Sequence, residues 1–403
     1  MSSLLGKRIL LGVTGSIAAY KAAEWVRFMV KEEALVTVIM TAAAERFVSK
    51  LSFAALSGNP VHTDMFAEDP EAVMAHINLS READVLLIAP ATAQTIARLS
   101  AGAADNLLAT VTLAATIPVV VCPAMNSCML AHPATQRNLN QLRQFGYHIV
   151  QPGSGELACG EVGDGRLPDW DVAREALLAV FAPQDLAGKK VLITAGPTRE
   201  LLDPARYISN RSSGKMGFAL ARTAKRRGAQ VSLIAGPVNL TDPPGVEVVR
   251  VMSAEEMAAA VLAQAASADV IVKAAAVADF KAADRKAHKI KKTQERMQID
   301  LIRNPDILKE LGQQRRAGQI LVGFAAESEH HAQEGQRKLL AKNVDLMVVN
   351  DILGAHTGFD VATNQVTLID RKGVQVLPLL TKEETADRIW DKVVTLEPLR
   401  LGA

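Results

Sequence analysis

The sequence contains few cysteines, and they form no recognisable motif. Only Cys122, Cys128 and Cys159 occur among its 403 residues, and no two of them are spaced as C-x-x-C. Neither a zinc knuckle nor a disulfide framework is therefore indicated. So few thiols, none of them in a pair, are typical of a protein from a reducing cytoplasm.

An excess of one charge is also missing, and so is a long apolar run. Lys and Arg number 45 against 43 Asp and Glu, a balance that argues against a nucleic-acid-coating surface. No uncharged apolar stretch reaches the ~18 residues of a membrane span. The run Ile9–Ala19 follows two basic residues as in a short signal peptide. It continues, however, as an amphipathic helix whose apolar face is Ala18, Ala22, Trp25 and Met29. We therefore expect neither a nucleic acid nor a membrane as partner.

No internal repeat is visible, but strand-like and helix-like patterns alternate along the chain. Short β-branched apolar runs predict buried parallel strands at Val36–Met40, Val85–Ala89, Val119–Cys122, Val191–Thr194, Val231–Ala235, Val270–Lys273, Ile320–Phe324 and Leu346–Val349. Helical patterns lie between them, including Gln94–Ala101, Phe218–Arg227 and Glu255–Ala266. The alternation predicts an α/β protein with doubly wound, Rossmann-like sheets.

The alternation breaks once, in the Pro-, Gly- and charge-rich segment Pro183–Lys190. This break predicts two domains, residues 1–186 and 187–403. Near the end of the chain, Gln365–Asp370 and Val374–Leu379 flank a turn and predict a β-hairpin extension. The basic segment Lys281–Asp300 has no clear period and predicts a mobile loop.

Two strand–glycine–helix openings, Arg8–Lys21 and Val191–Glu200, lie about one domain apart. In each, an apolar run is followed by Gly and a hydroxyl residue. A helix N-terminus at such a turn offers backbone N–H groups and a positive dipole end to a phosphate. The simplest interpretation is two phosphoryl-ligand-binding domains with two active sites. A G-x-G-x-x-G turn with a downstream ribose-binding acid is absent, which disfavours the alternative of an NAD-linked oxidoreductase.

Three segments of the first half suggest a ligand site. Ala89–Ala93 and Val121–Asn126 follow predicted strands, where ligands of such sheets bind. Leu157–Arg166 packs three glycines around Cys159 and is interpreted as a mobile lid. Each has a plainer interpretation, because Ala89–Ala93 also suits an ordinary strand–helix loop. His76, taken alone, is more often a surface or structural histidine.

Together these segments resemble the flavin-containing cysteine decarboxylases over residues 5–180. The resemblance implies a flavodoxin-like domain that binds FMN, with the phosphate near Gly15, Ser16, Ala101 and Gly102 and the ring against Ala89, Pro90, Ala91 and Thr92. Thr41 and Met125 complete the implied cofactor site. It further implies that Asn126 holds the substrate carboxylate, that His76 handles a proton in the oxidative step and that Cys159 supplies one in the reductive step. Gln94 departs from the family, which usually has Asn there.

The second half contains a donor-rich segment, Arg206–Gly217, that opens a helix. Its Ser, Gly and Lys residues suit an anionic phosphate chain, although a polar helix cap explains them too. It is not a Walker motif, since G-x-x-x-x-G-K-[ST] is absent. Lys289-Ile290-Lys291-Lys292 also fits a solvated charge run. Asn304 is predicted to cap a helix with Pro305 in its first turn.

These segments resemble phosphopantothenate–cysteine ligases over residues 188–395. The whole chain thereby resembles the family of bacterial bifunctional phosphopantothenoylcysteine decarboxylase/phosphopantothenate–cysteine ligases. The resemblance implies that Asn210 binds an acyl-cytidylate and Lys289 is catalytic. CTP and substrate contacts are implied at Arg206, Ser212, Gly214, Lys215, Lys273, Ala274, Ala275, Asp279, Lys289, Pro305, Asp306, Ile307, Leu308, Phe324, Lys338 and Lys342.

The implied substrates are CTP, L-cysteine and 4′-phosphopantothenate, with FMN and Mg2+ as cofactors. Fixed lysines and a divalent ion suit the negative charge that builds in such an activation, but the sequence does not identify the cation's ligands. The family implies a cytoplasmic homo-oligomer, with trimers of flavin domains joined through ligase-domain dimers. The alternative is a non-catalytic inhibitory subunit, against which Cys159 argues.

Overall fold

The computed structural model describes residues 3–65, 75–291, 297–327, 331–351 and 361–396. They divide into two compact units, one formed by Ser3–Phe181 and the other by the chain from Ala182 onward. Part of the predicted mobile loop, including Lys292, lies outside the described residues. Within the described ranges, none of the helices has the length and apolar character that a membrane span requires.

The first unit is built on a six-stranded parallel sheet. Its strands are β1 (Arg8–Val13), β2 (Leu35–Met40), β3 (Val61–His62), β4 (Val85–Ala91), β5 (Val119–Pro123) and β6 (His148–Ile149). Their spatial order is β3-β2-β1-β4-β5-β6. Without the short edge strand β3, this is the flavodoxin-like order, whose switch point lies between β1 and β4.

Helices cover both faces of this sheet. They are α1 (Ala19–Lys31), α2 (Lys50–Ser57), α3 (Ala75–Glu82), α4 (Ala93–Ala101), α5 (Leu107–Ala114), α6 (Ser127–Ala131), α7 (Pro133–Gln144) and α8 (Trp170–Phe181), with a 3-10 turn at Ala44–Arg46. In β1, Ile9 and Leu11 enter the core beneath α1 and α8. Leu10 enters the core on the opposite face. Because both faces are buried, the strand is a continuous apolar run.

The second unit carries an eight-stranded sheet and three small two-stranded ribbons. Its strands are β9 (Lys190–Ala195), β10 (Arg199–Asp203), β11 (Arg206–Ser209), β12 (Gln230–Ala235), β13 (Glu247–Arg250), β14 (Val270–Lys273), β15 (Phe280–Ala282), β16 (Leu301–Arg303), β17 (Ile320–Glu327), β18 (Leu346–Asp351), β19 (Thr363–Asn364), β20 (Val366–Asp370), β21 (Val374–Val376) and β22 (Leu380–Thr381). A further antiparallel hairpin belongs to the first unit, β7 (Gly153–Glu156) with β8 (Val162–Arg166).

The main sheet of the second unit has the order β13-β12-β9-β14-β17-β18-β20-β21. The first six are parallel, and β20 and β21 add an antiparallel hairpin, as predicted. The helices are α9 (Lys215–Arg226), α10 (Ala254–Ala265), α11 (Ile307–Gln314), α12 (His331–Ala341) and α13 (Lys382–Val393). Helices α9 and α13 pack on one face, and α10, α11 and α12 on the other.

The units separate between Phe181 and Ala182, so the linker belongs with the second unit. Gln184 donates from Nε2 to the Arg226 carbonyl at 2.9 Å, and Leu186 is fully buried in that unit's core. Asp185 forms an ion pair with the buried guanidinium of Arg227 at 2.5 Å. The proline- and glycine-containing segment Pro183–Lys190 is therefore packed against the second unit.

We expect a fragment starting at residue 187 to be less stable than one starting at residue 182. It lacks Leu186, and it leaves Arg227 without Asp185. Losing one fully buried leucine side chain costs about 2 kcal/mol or more. Chemical denaturation of both fragments measures the difference, and equal free energies of unfolding would contradict this assignment of the linker.

Candidate active sites

In the first unit, one threonine fastens two strand ends together at the switch point. Thr14, which follows β1, donates from Oγ1 to the Pro90 carbonyl at 2.6 Å and accepts from the Thr92 N–H at 3.1 Å. Thr92 in turn accepts from the Thr95 N–H and so caps α4. This network sets the end of β4 and the start of α4, where the predicted flavin contacts Ala89–Thr92 lie, beside the end of β1.

Gly15 and Thr41 lie at the same edge of the sheet. A Cβ on Gly15 would be 2.5 Å from the Ala43 side chain, so only glycine allows the loops after β1 and β2 to approach this closely. Thr41 donates its N–H to the Val13 carbonyl at 3.0 Å. The ends of β1, β2 and β4 thus meet where ligands of doubly wound sheets bind.

A cavity of about 640 Å³ opens beside the entrance to α1. It brings together the predicted residues Ser16, Met125, Asn126 and Cys159, and its other lining residues are Ile17, Ala18, Tyr20, Lys21, Ala124, Glu156, Leu157, Ala158, Gly165, Arg166 and Leu167.

The segment predicted to be a mobile lid forms the turn and the second strand of the β7–β8 hairpin, and its glycines allow close docking. A Cβ on Gly165 would be 2.1 Å from the Met125 carbonyl, and one on Gly163 would be 2.4 Å from the Ser127 hydroxyl. Ser127 also donates to the Asp164 carbonyl at 2.8 Å. The glycines of β8 therefore serve tight packing against the loop after β5, a requirement that the composition alone does not distinguish from flexibility.

Three polar side chains meet at the turn of this hairpin. Asn126 donates from Nδ2 to the Glu161 carboxylate at 2.8 Å, and its Nδ2 lies 3.5 Å from Cys159 Sγ. Cys159 Sγ is 3.7 Å from the same Glu161 oxygen. A thiol and an amide of the cavity wall thus meet the Glu161 carboxylate beside it.

Other predicted residues of the first unit lie outside the cavity lining. His76 is half-buried in the first turn of α3, and Ala101 and Gly102 are exposed at the far end of α4. At 1.5 Å per residue, this places Gly102 roughly 15 Å along the helix from Thr92. His76, Ala101 and Gly102 are thus not among the residues that line the cavity with Ser16 and Cys159, and neither are Gly15, Thr41 and Ala89–Thr92.

The residues present suit a flavin nucleotide. Helix α1 begins without a side-chain cap from its N-cap residue Ala18, and the positive end of the helix dipole there suits an anion. Ser16 lies on the cavity wall directly before this helix. A volume of about 640 Å³ is within the ordinary range for a cofactor site.

The second unit repeats the same fastening at its own switch point, between β9 and β14. Thr194 accepts the Ala275 N–H at 3.1 Å, and Thr198 accepts the Ala278 N–H at 3.1 Å. Both threonines are fully buried. They hold the segment after β14 against the loop after β9, and the amide of Asn210 donates to the Val277 carbonyl of that segment at 3.0 Å.

A cavity of about 880 Å³ lies at this edge. It is lined by the predicted residues Asn210, Ser212, Gly214, Lys215, Lys273, Ala274, Ala275, Asp279, Pro305, Asp306, Ile307, Leu308, Phe324, Lys338 and Lys342. Gly214 forms the N-cap of α9 with a left-handed φ of 76° and no side-chain cap, so the start of this helix also suits a phosphate.

The charges of this cavity are coupled through Lys273. Only 8% of its surface is exposed, and burial lowers the pKa of Lys273 to about 8, although the Asp306 and Asp279 carboxylates act to raise it. Burial acts to raise the pKa of Asp306, but the hydrogen bond from Lys342 and a backbone N–H outweigh it and lower that pKa. Lys273 in this cavity thus loses its proton more easily than an ordinary lysine, while the Asp306 carboxylate stays ionised.

Arg206 and Lys289 lie outside the residues lining this cavity. The buried Asp203 carboxylate pairs with the Arg206 guanidinium at 3.0 Å and accepts the Ile290 N–H at 3.0 Å. The Ile290 bond, followed by other backbone bonds and Arg206, lowers the pKa of Asp203 against the effect of burial. Asp203 and Arg206 therefore anchor the described part of the predicted mobile loop, and Lys289 is exposed beside this anchor.

The predicted helix cap at Asn304 is wrong. Asp306 caps α11 by accepting the Lys309 N–H at 3.0 Å. Asn304 instead donates from Nδ2 to the Ala278 carbonyl at 2.9 Å. Asn304 and Asp306 are both residue types that cap helices. Because the Asn304 side chain is bound to the segment after β14, Asp306 forms the cap.

Family comparisons match each unit separately. Residues 2–181 match the family model described as Flavoprotein, and residues 186–396 match that of the DNA/pantothenate metabolism flavoprotein C-terminal domain. The Coenzyme A biosynthesis bifunctional protein CoaBC of Bacillus subtilis is 45% identical over 98% of this chain and 98% of its own length. That of Escherichia coli K12 shows the same identity and coverage.

The chain belongs to the family of coenzyme A biosynthesis bifunctional proteins. The family predicted from the motifs is thereby confirmed, and so is the assignment of the first unit as a flavoprotein domain. A solved C-terminal domain of a coenzyme A biosynthesis bifunctional protein is 41% identical, covers 53% of this chain and 97% of its own, and has a TM-score of 0.45.

Several residues at the two sites were not predicted from the sequence. Thr14 directly follows β1, and Thr194 is the next-to-last residue of β9, so a hydroxyl residue near the end of the first strand of each unit was the available signal. Glu161 stands within the glycine-rich cysteine segment. Asn350, Asn364 and Lys382 line the second cavity but belong to no motif, so only the fold brings them there.

Proposed function

We propose that this chain makes 4′-phosphopantetheine by two consecutive reactions. The second unit joins L-cysteine to 4′-phosphopantothenate using CTP, and the first unit decarboxylates the 4′-phosphopantothenoylcysteine that results. The observation that supports this most directly is that each unit has its own cavity at the carboxyl edge of its sheet. The cavity of the first unit is lined by a thiol and an amide, and the cavity of the second unit is lined by several cations.

In the first unit, Gly15, Ser16 and the start of α1 would hold the phosphate of FMN. When bound, FMN supplies two-electron oxidation of the thiol-bearing carbon, which lets CO2 leave, and returns a hydride afterwards. The protein positions the substrate and handles its protons. Asn126, which in the structure donates to the Glu161 carboxylate, would donate to the substrate carboxylate in its place.

Cys159 would supply the proton that completes the product. Its sulfur lies on the cavity wall at the hairpin turn, 3.5 Å from the Asn126 amide nitrogen. A thiol there is close to the carbon that bore the carboxylate if Asn126 binds that carboxylate. The inhibitory-subunit alternative has no use for a thiol at this position.

In the second unit, the substrate carboxylate would attack the α-phosphorus of CTP and release diphosphate. The amine of cysteine would then attack the acyl-cytidylate and release CMP. Negative charge builds in both steps, and Lys273, Lys338 and Lys342 line the cavity where it develops. Mg2+ takes most of its ligands from phosphate oxygens and water, so one or both of the cavity carboxylates, Asp279 and Asp306, would complete its coordination.

CTP binding is expected to take up protons at a pH just above 8, because burial places the pKa of Lys273 at about 8. Phosphate favours the charged amine, so binding raises the pKa and the complex holds more protons between that value and the ordinary 10.5. Affinity should therefore fall as the pH rises through this window. Calorimetry in two buffers of different ionisation enthalpy measures the uptake, and an unchanged uptake in Lys273→Met would contradict the assignment.

The two activities should separate with the two units. Residues 1–181 are expected to be yellow and to decarboxylate 4′-phosphopantothenoylcysteine, and residues 182–403 to be colourless and to retain the ligase reaction. A folded but colourless and inactive first fragment would contradict the proposal.

The cytoplasmic location and the assembly of flavin-domain trimers joined through ligase-domain dimers belong to the same proposal. The mass of the intact particle in solution tests the assembly.

A further inference from the structure

A buried lysine and a buried asparagine line the second cavity without a role in the scheme above. Lys382, the first residue of α13, is 6% exposed, and Asn364, at the end of β19, is 2% exposed. The ribbon of β19 and β22 sets them side by side, because Asn364 pairs with Leu380 and the Lys382 N–H donates to the Ala362 carbonyl at 3.0 Å. The ribbon therefore sets the Lys382 side chain in a cavity wall that is largely shielded from water.

The Asn364 amide is unsatisfied within the described residues. Its Oδ1 is buried and has no hydrogen-bond partner there. Its Nδ2 contacts only the Met216 sulfur at 3.8 Å, which is a weak acceptor. A buried amide left in this state costs about 1–3 kcal/mol. Since neither end is held, the amide can rotate and present its NH2 group to a ligand in the cavity.

The contact with Met216 places Asn364 next to the start of α9. Met216 lies in the first turn of this helix, whose N-cap Gly214 provides no side-chain cap. A helix N-terminus, a buried lysine and an uncommitted amide thus meet on one wall of the cavity. Together they offer backbone donors, a side-chain amide donor and a lysine amine, which is the chemistry that binds a phosphate.

The position of this wall in the cavity indicates which phosphates of a nucleotide would bind to it. Helices α9 and α13 pack on one face of the sheet. The predicted nucleotide contacts at Ile307 and Leu308 lie with the opposite face. A nucleoside triphosphate whose nucleoside part is held on that second face can extend its terminal phosphates across the sheet edge to the first.

The geometry points to Lys382 and Asn364 as the subsite for the terminal diphosphate of CTP, an inference that rests on the proposed ligase reaction. In that reaction a carboxylate oxygen forms a bond to the α-phosphorus, and the bond from the α-phosphorus to the bridging oxygen breaks. The diphosphate leaves with the electron pair. Lys382 stabilises the negative charge that it gains, and Asn364 donates to one of its oxygens.

Lys382→Met in the full chain tests this subsite, with Lys225→Met, an exposed lysine near the end of α9 outside the cavity lining, as the control. Lys382→Met should weaken the binding of CTP by about 10-fold or more and leave that of CMP unchanged, because CMP lacks the terminal phosphates. Diphosphate release should slow by roughly 10²-fold, as loss of one electrostatic donor typically does. Transfer from a supplied acyl-cytidylate to cysteine should keep its rate, since the diphosphate has already left.

Two further variants keep the test decisive if Lys382→Met is unstable. Lys382→Arg should restore part of the CTP affinity, and Asn364→Asp should weaken CTP binding because it sets a carboxylate against the diphosphate. Equal losses for CTP and CMP, or a loss confined to 4′-phosphopantothenate, whose phosphate is the other candidate, would overturn the inference. A wild-type chain that releases no diphosphate from CTP and 4′-phosphopantothenate would instead refute the proposed ligase function.

Discussion

Replacing Cys159 by serine is expected to leave the release of one CO2 per bound flavin intact and to abolish the formation of 4′-phosphopantetheine. Serine is nearly isosteric, so the hairpin turn and its contact with Asn126 should persist. A hydroxyl is far less acidic than a thiol of pKa ~8.5 and is a poor proton donor. The expected product is the enethiol, which is lighter than phosphopantetheine by one pair of hydrogen atoms.

The measurement is an anaerobic incubation of Cys159→Ser with 4′-phosphopantothenoylcysteine, read by evolved CO2 and by product mass. Cys128→Ser is the matched control, because Cys128 is exposed nearby but does not line the cavity. Normal phosphopantetheine from Cys159→Ser would remove this thiol from the mechanism. Absence of CO2 would move its role to an earlier step.

Replacing Lys289 by glutamine is expected to slow the ligase reaction by roughly 10²-fold or more, as loss of one charged donor typically does. Lys289 directly precedes Ile290, whose N–H is held by the buried Asp203 carboxylate at 3.0 Å. This anchor fixes the backbone beside Lys289 while its side chain stays exposed. Such an arrangement suits a lysine that reaches a bound ligand from outside the cavity wall.

Lys291→Gln is the control for this prediction, because Lys291 is an exposed lysine of the same run beyond the anchored residue. Diphosphate and CMP release from the two variants should be measured separately. If diphosphate and CMP release were equally fast in Lys289→Gln and Lys291→Gln, the segment would be only a solvated run of charges. Unchanged thermal unfolding of both variants would establish that the loss is catalytic.

Buried strands were the part of the fold most directly readable from sequence. Val270–Lys273 was predicted with its observed limits, since a fully buried parallel strand is a bounded apolar run. Helix starts were harder. The helix predicted from Phe218 begins at Lys215, because its first turn faces the cavity and does not follow the apolar period.

The docked hairpin shows what composition does not reveal. In a mobile lid, glycine allows the backbone to change conformation. Where two backbones touch, glycine is required because any other side chain would clash. Only the distance of 2.1 Å between the Met125 carbonyl and a Cβ placed on Gly165 distinguishes the two cases. Likewise, the role of Lys382 depends on a two-residue ribbon that pairs positions outside the main sheet. Motifs identified the segments that carry chemistry, while isolated cavity residues required the fold.

One incubation tests most directly whether this single chain carries both reactions. The full-length protein is mixed with L-cysteine, 4′-phosphopantothenate, CTP and Mg2+, and the products are identified by mass spectrometry. We expect 4′-phosphopantetheine, CO2, CMP and diphosphate, with 4′-phosphopantothenoylcysteine appearing transiently. Omitting CTP should stop every product. Release of diphosphate without any cysteine adduct, or an adduct that never loses CO2, would contradict the presence of both activities in the chain.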